Sequence, residues 1–195
     1  MKTILSIAAL VTLGFAAPAT AVTINFDNLA DGAVVTNQYA EATFSSQSGS
    51  QIFTTAQNYN TSLPNFICSG VGSINCVDDV YLDFTNPVSN LSFIAVGDNM
   101  VGPNALVRAF AGATLLGTLD IIGDDNLVTN YFVSLPYSGI TRLEIINNID
   151  PAGLGFDDFT FNVGPRVPEP ATWALFIAGF GLIGAAARRR TARTA

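Results

Sequence analysis

Three acidic pairs occur in this sequence, Asp78-Asp79, Asp124-Asp125 and Asp157-Asp158, and Asp27 and Asp31 stand near its start. Carboxylates so placed can hold a hard cation. Calcium takes roughly six to eight oxygens, several of them backbone carbonyls, so two aspartates and a few loop carbonyls suffice. Asp27 and Asp157 are the candidate ligands of a structural calcium. The plain alternative is that these aspartates cap turns with their own side chains. No Asp-x-Asp-x-Asp-Gly loop is present, which excludes an EF-hand. Paired carboxylates can also hydrolyse a glycoside, given one raised and one ordinary pKa at a fixed separation. Glu41 and Glu144 sit in no catalytic context of that kind, Glu144 reading as an outward strand position between Leu143 and Ile145.

Histidine is absent. That excludes Ser-His-Asp and Cys-His catalysis and the common zinc sites that use imidazole. No enzyme is expected. Sugar binding usually needs an exposed aromatic ring, but the single tryptophan, Trp173, lies near the C-terminus. Tyr39, Tyr59, Tyr81, Tyr131 and Tyr137 remain, with Tyr81 facing outward on its strand. Its ordinary reading is a surface residue chosen for β-propensity. Cys68 and Cys76 are the only cysteines, separated by seven residues rich in Gly, Ser and Asn. In an exported chain they are expected to pair as a disulfide.

Charge divides sharply by region. Between Val22 and Pro165 there are two arginines, Arg108 and Arg142, against fourteen acidic residues, a net of −12 with no lysine. Such a surface repels the phosphates of nucleic acid and of anionic lipid, so neither is an expected partner. Divalent cations or a cation-bridged polymer suit it better.

The remaining basic residues lie at the two ends. Lys2 precedes the apolar stretch Ile4–Phe15, and Ala19-Thr20-Ala21 follows as a small-x-small cleavage site. This pattern predicts a signal peptide over residues 1–21 and a mature chain beginning at Val22. At the other end Ala171–Ala187 is a run of seventeen uncharged residues, followed at once by Arg188, Arg189 and Arg190. As a helix the run would extend roughly 25 Å, the short end of a membrane span. Arginines packed behind it resist translocation, which predicts a C-terminus left inside and a body outside. Ahead of the span stands Val167-Pro168-Glu169-Pro170, whose prolines favour an extended segment open to a processing enzyme.

That motif, the hydrophobic span with Trp173 near its start and the arginine cluster together resemble the PEP-CTERM sorting signal, over residues 167–190. The resemblance implies a precursor held in the inner membrane and an exosortase as processing partner. It also implies release to the envelope or matrix, in a cell that makes exopolysaccharide.

The body, residues 22–165, alternates apolar and polar residues in short runs broken by Gly, Asn, Asp and Pro. This is the pattern of antiparallel strands. The expected strands are Val22–Asp27, Ala42–Ser46, Gln51–Thr55, Val80–Phe84, Leu91–Val96, Ala105–Phe110, Thr114–Asp120, Tyr131–Leu135, Ile140–Ile146 and Phe156–Val163. Ala111-Gly112 is expected to form a hairpin turn. The Tyr59–Asp79 connection shows little strand pattern. The predicted fold is all-β, a two-sheet antiparallel sandwich of jelly-roll type, with a signal helix before it and a transmembrane helix after it. An immunoglobulin-like sandwich is the second candidate. Asn25-Phe26-Asp27 and Gly155-Phe156-Asp157-Asp158-Phe159-Thr160-Phe161 resemble the first and last strands of jelly-roll, carbohydrate-binding-module-like domains. These strands commonly lie side by side, which would bring Asp27 to Asp157. Residues 166–195 form the sorting tail. The expected role is structural or adhesive, at the cell surface or in biofilm and exopolysaccharide; the alternative is a carbohydrate-binding module stabilised by calcium.

Overall fold

A computed structural model describes residues 20–57, 59, 61–70, 76–146, 148–164, 177–181 and 183. The predicted motif Val167, Pro168, Glu169, Pro170 and the cluster Arg188, Arg189, Arg190 lie outside the described residues, as does nearly all of the signal segment. The body belongs to the compact unit Pro18–Gly164. Its described residues form nine strands: β1 Thr20–Ile24, β2 Ala42–Ser45, β3 Gln51–Thr55, β4 Phe66–Gly70, β5 Val80–Val96, β6 Val101–Ala111, β7 Thr114–Asp124, β8 Tyr131–Ile146 and β9 Gly155–Val163.

The named strand pairs are all antiparallel, in the order β3-β4-β9-β5-β8-β6-β7, with β1 beside β9 and β2 beside β5. Hydrogen bonding is continuous, yet the sheet is folded into two layers. The first half of β5 pairs β2 and the second half of β8, which in turn pairs β6. The second half of β5 pairs β9 and the first half of β8. Rings that no ladder places side by side meet across the gap, Phe84 lying ahead of the part of β5 that pairs β9. Phe44 of β2 lies 6.1 Å from Phe159 of β9, and Phe84 of β5 lies 5.1 Å from Phe161 of β9.

Two expected pairs of short strands are therefore single long strands. Val80–Phe84 and Leu91–Val96 join as β5; Tyr131–Leu135 and Ile140–Ile146 join as β8. Asn86-Pro87 and Pro136–Gly139 read as strand ends because proline lacks a ladder donor. In the fold they are corners. The β5–β8 register shifts between Asp83 and Leu91, while Asn90 and Gly139 take positive φ. Bulges bend a strand without ending it, and here they carry the chain from one layer to the other.

β4 was not expected at all. All five of its residues are buried, so it shows none of the alternation that marks a half-buried strand. The predicted hairpin turn is displaced by one residue, to Gly112-Ala113, with Gly112 at φ 58°. β1 starts at Thr20, with Thr20 and Ala21 opposite Val163 and Asn162. A cut after Ala21 would leave Val22–Ile24 of this strand on Phe159–Phe161.

Cys68 of β4 and Cys76 form a disulfide, with Cα atoms 4.9 Å apart. Cys76 is bound in turn to the segment ahead of β9, its N–H donating to Ala152 O and its carbonyl accepting from Leu154 N. Gly153 sits at φ +80°, and a Cβ there would strike the Cys76 backbone. Replacing both cysteines by alanine is expected to lower stability by about 2–3 kcal/mol through the freed loop. Urea midpoints of parent and double variant check this; equal midpoints would make the bridge energetically idle.

The core is rich in phenylalanine. Phe26, Phe44, Phe66, Phe93, Phe156, Phe159 and Phe161 are all wholly or nearly wholly buried. Phe159 is central, with Phe26, Phe44 and Phe93 at 6.0, 6.1 and 5.1 Å between centroids.

Candidate functional site

β1 runs antiparallel to β9 with Ile24 opposite Phe159. Just past this register both strands leave regular geometry, with Phe26 at φ 58° and Asp158 at φ 53°. A non-glycine residue rarely takes that conformation. For Phe26 the cost is offset by burial of its ring among Tyr39, Phe44 and Phe159. The two kinks leave Asp27 and Asp157 close enough that the charge of Asp27 acts on Asp157.

Asp157 has no solvent exposure. Its Oδ2 accepts a hydrogen bond from Ser62 Oγ at 2.9 Å and its Oδ1 from Asp158 N at 2.8 Å. Burial, with the charges of Asp158 and Asp27, outweighs those bonds and pushes its carboxyl up to about 7. Asp27 accepts from Asn25 Nδ2 at 2.8 Å and from Asn65 N at 3.1 Å. Asn65 is itself buried: its Nδ2 donates to Leu29 O at 2.8 Å, and its Oδ1 has no partner. Burial and the same two carboxylates push the Tyr39 hydroxyl above its ordinary value.

Neither described arginine offsets this charge. Arg108 donates to Glu144, and Arg142 donates to both Glu144 and Asp83. The donors present fit a hard, oxygen-seeking cation: two carboxylates and an amide oxygen without a partner. A third acidic side chain does not join them, since no group of three or more Cys, Asp or Glu fit to hold a metal occurs among the described residues.

The other sequence candidates are held in place by the sheet. Glu144 does face outward, but lies between the two arginines and is largely covered. Tyr81 is on the outer face yet only 7% exposed, because the Arg142 guanidinium lies 4.7 Å over its ring. Its hydroxyl donates to Gln47 Oε1 at 2.7 Å, and burial pushes it up to about 12. The expectation of a free outward ring at Tyr81 is thus corrected; the cation–π contact covers it. Tyr131 donates to Asp98 Oδ2 at 3.1 Å.

Sequence reasoning overlooked Phe132, which is 72% exposed on β8. It stands opposite Ile94, beside the row Ser134–Ser92–Thr160–Thr23 running across β8, β5, β9 and β1. One aromatic ring therefore rises from a hydroxyl-lined face. Its signal was present in the alternation, with Val133 and Leu135 inward and Phe132 outward. The C-terminal segment is described only as helical residues 177–181 and 183, where Ile177, Phe180 and Ile183 are exposed. Among the described residues no helix is long and apolar enough to cross a membrane.

The family model described as the PEP-CTERM protein-sorting motif matches residues 166–190. No curated protein matches the chain. Among solved structures, the K2 cleaved adhesin domain of Lys-gingipain is similar at 15% identity and a TM-score of 0.47, over 73% of this chain and 99% of that one. The K1 cleaved adhesin domain of Lys-gingipain from Porphyromonas gingivalis is similar at 15% identity and a TM-score of 0.39, over 75% and 95%. A family 29 carbohydrate-binding module, in complex with mannohexaose, is similar at 12% identity and a TM-score of 0.36, over 76% and 94%. At these levels no ligand or partner transfers from them.

Proposed function

We propose that this chain, which carries a PEP-CTERM sorting motif over residues 166–190, is a non-enzymatic protein of the cell surface or extracellular matrix. The motif is the observation that carries the reading. It marks an exported protein, anchored through its C-terminus until an exosortase processes it. Residues 1–21 serve as the cleaved export signal, and the apolar run Ala171–Ala187 with Arg188–Arg190 holds the precursor in the inner membrane. The acidic body then contributes structure or adhesion in biofilm or exopolysaccharide. Its net charge of −12 between Val22 and Pro165 favours bridging through divalent cations over direct contact with anionic polymers.

The test is the fate of the tail. Replacing Pro168, Glu169 and Pro170 together by alanine is expected to leave a full-length precursor in the membrane fraction. The parent chain should appear in the envelope or medium with its C-terminus removed, as mass spectrometry of both termini would record. An unprocessed C-terminus on released parent protein would overturn the reading.

A second reading, a calcium-stabilised carbohydrate-binding module, is favoured by Phe132 above its row of hydroxyls and by Asp27, Asp157 and Asn65. Rings of this kind stack on sugar faces, while calcium would brace the junction of β1 and β9. Retention of the protein on the host's own polysaccharide is then expected to fall about tenfold in Phe132→Ala, as for loss of one anchoring ring. Equal retention of parent and variant would remove this alternative.

A further inference from the structure

A second buried acidic group lies apart from the β1–β9 junction, where three connections meet. These are the 97–100 turn between β5 and β6, the start of the β7–β8 connection at Asp124-Asp125, and the segment ahead of β9. Asp98 and Asn104 are wholly buried and Asp150 is 1% exposed. Asn104 aims its amide into the group. Its Nδ2 donates to Asp98 Oδ1, to Met100 O at 3.2 Å and to Asp150 Oδ2 at 3.3 Å, while its Oδ1 has no partner. The Asn99 amide ends 2.6 and 3.1 Å from the two Asp150 oxygens; its nitrogen in that place donates to both, and its oxygen could stand there only with a cation between.

The outer lone pairs are already used. Asp98 Oδ2 accepts from Asp124 N, Asp125 N and Tyr131 Oη, and Asp150 Oδ1 accepts from Ala152 N and Gly153 N. Their inner oxygens take backbone donors too, Asp98 Oδ1 from Met100 N at 3.1 Å and Asp150 Oδ2 from Asn99 N at 2.9 Å, and the Asn104 amide joins both to Met100 O. β7 packs against this group at Gly123, where a Cβ would collide with Asp98, Asn104 and the Met100 carbonyl. Neither arginine of the body is bound here; both are engaged with Glu144. Two buried carboxylates without a cation are costly. A proton would relieve one pair of oxygens. A metal ion would neutralise both carboxylates, and with the Asn104 amide turned over its oxygen would join the ligands.

We propose that Asp98, Asp150, Asn99, Asn104 and the Met100 carbonyl bind a divalent cation, calcium by the chemistry of an all-oxygen set. The ion fastens the β5–β6 turn to the segment ahead of β9, and through Asp98 to the start of the β7–β8 connection. Calcium accepts such mixtures of carboxylate, amide and carbonyl oxygen, with water completing the shell.

The experiment uses the full chain in detergent, carrying Asp157→Asn so that the β1–β9 junction contributes nothing. Terbium(III) is the probe, because the Tyr131 hydroxyl lies 3.1 Å from Asp98 and can sensitise its luminescence. Sensitised emission, displaced by calcium, is expected; Asp150→Asn should weaken terbium binding at least about tenfold, and Asn104→Asp should tighten it by a similar factor. Absence of calcium-displaceable emission overturns the proposal, as does equal affinity in the Asp150→Asn chain. Should Asp150→Asn not fold, Asn104→Asp decides, and unchanged affinity there is equally fatal.

Discussion

In calcium-free buffer the Asp157→Asn variant is expected to lose less stability than the parent chain as pH rises. The ordinary carboxyl value is 3.8 and burial lifts Asp157 to about 7. Between those values the unfolded chain has released the proton and the folded chain still holds it. Folding therefore binds a proton there, and stability falls with rising pH by at most about 1.4 kcal/mol per unit. Above about 7 the loss is complete and the curve flattens. Asparagine keeps the shape and cannot ionise, so the gap between variant and parent should open steadily through this window. Urea midpoints measured against pH supply the curve; a gap that is the same at both ends would show that Asp157 ionises freely in the fold. Added calcium should stabilise both chains through the Asp98 group but the parent more, narrowing the gap, if Asp27 and Asp157 hold an ion as proposed.

The second large effect belongs to Phe159. Its ring touches Phe26 from the first strand's extension, Phe44 from β2 and Phe93 from β5, so one truncation loosens both layers. Phe159→Ala is expected to cost about 3–5 kcal/mol, a large part of the roughly 5–15 kcal/mol that holds an ordinary domain. Phe132→Ala supplies the contrast, since an exposed ring away from structural features should change stability by no more than about 0.5 kcal/mol. Equilibrium unfolding of the two variants measures both. Equal costs would mean that the layers are not packed through the Phe159 cluster.

How much of this was legible beforehand differs by element. The alternation in Val80–Phe84 and Tyr131–Leu135 named strands and their core faces correctly, because the other face of each points away from the core and carries polar residues. β4 was illegible for the opposite reason: buried on both sides, it offers no period. Asn86-Pro87 and Pro136–Gly139 spoke only of interrupted hydrogen bonding, and a chain end and a corner interrupt it alike. Tyr81 was legible as outward-facing but not as covered, since Arg142 is sixty-one residues away in the chain. The group formed by Asp98, Asn104 and Asp150 was invisible for the same reason. Each looks like a turn former until the fold brings three connections together.

By itself the sequence settled what local pattern and composition control: the sorting motif and its apolar run, the acidic charge of the body, the pairing of its two cysteines and its β class. It also foresaw that the first and last strands would adjoin, by resemblance rather than by derivation. Only the tertiary structure decided which carboxylates lose water and which rings keep it. Burial and charge coupling depend on neighbours distant in the chain, and no local spacing records them.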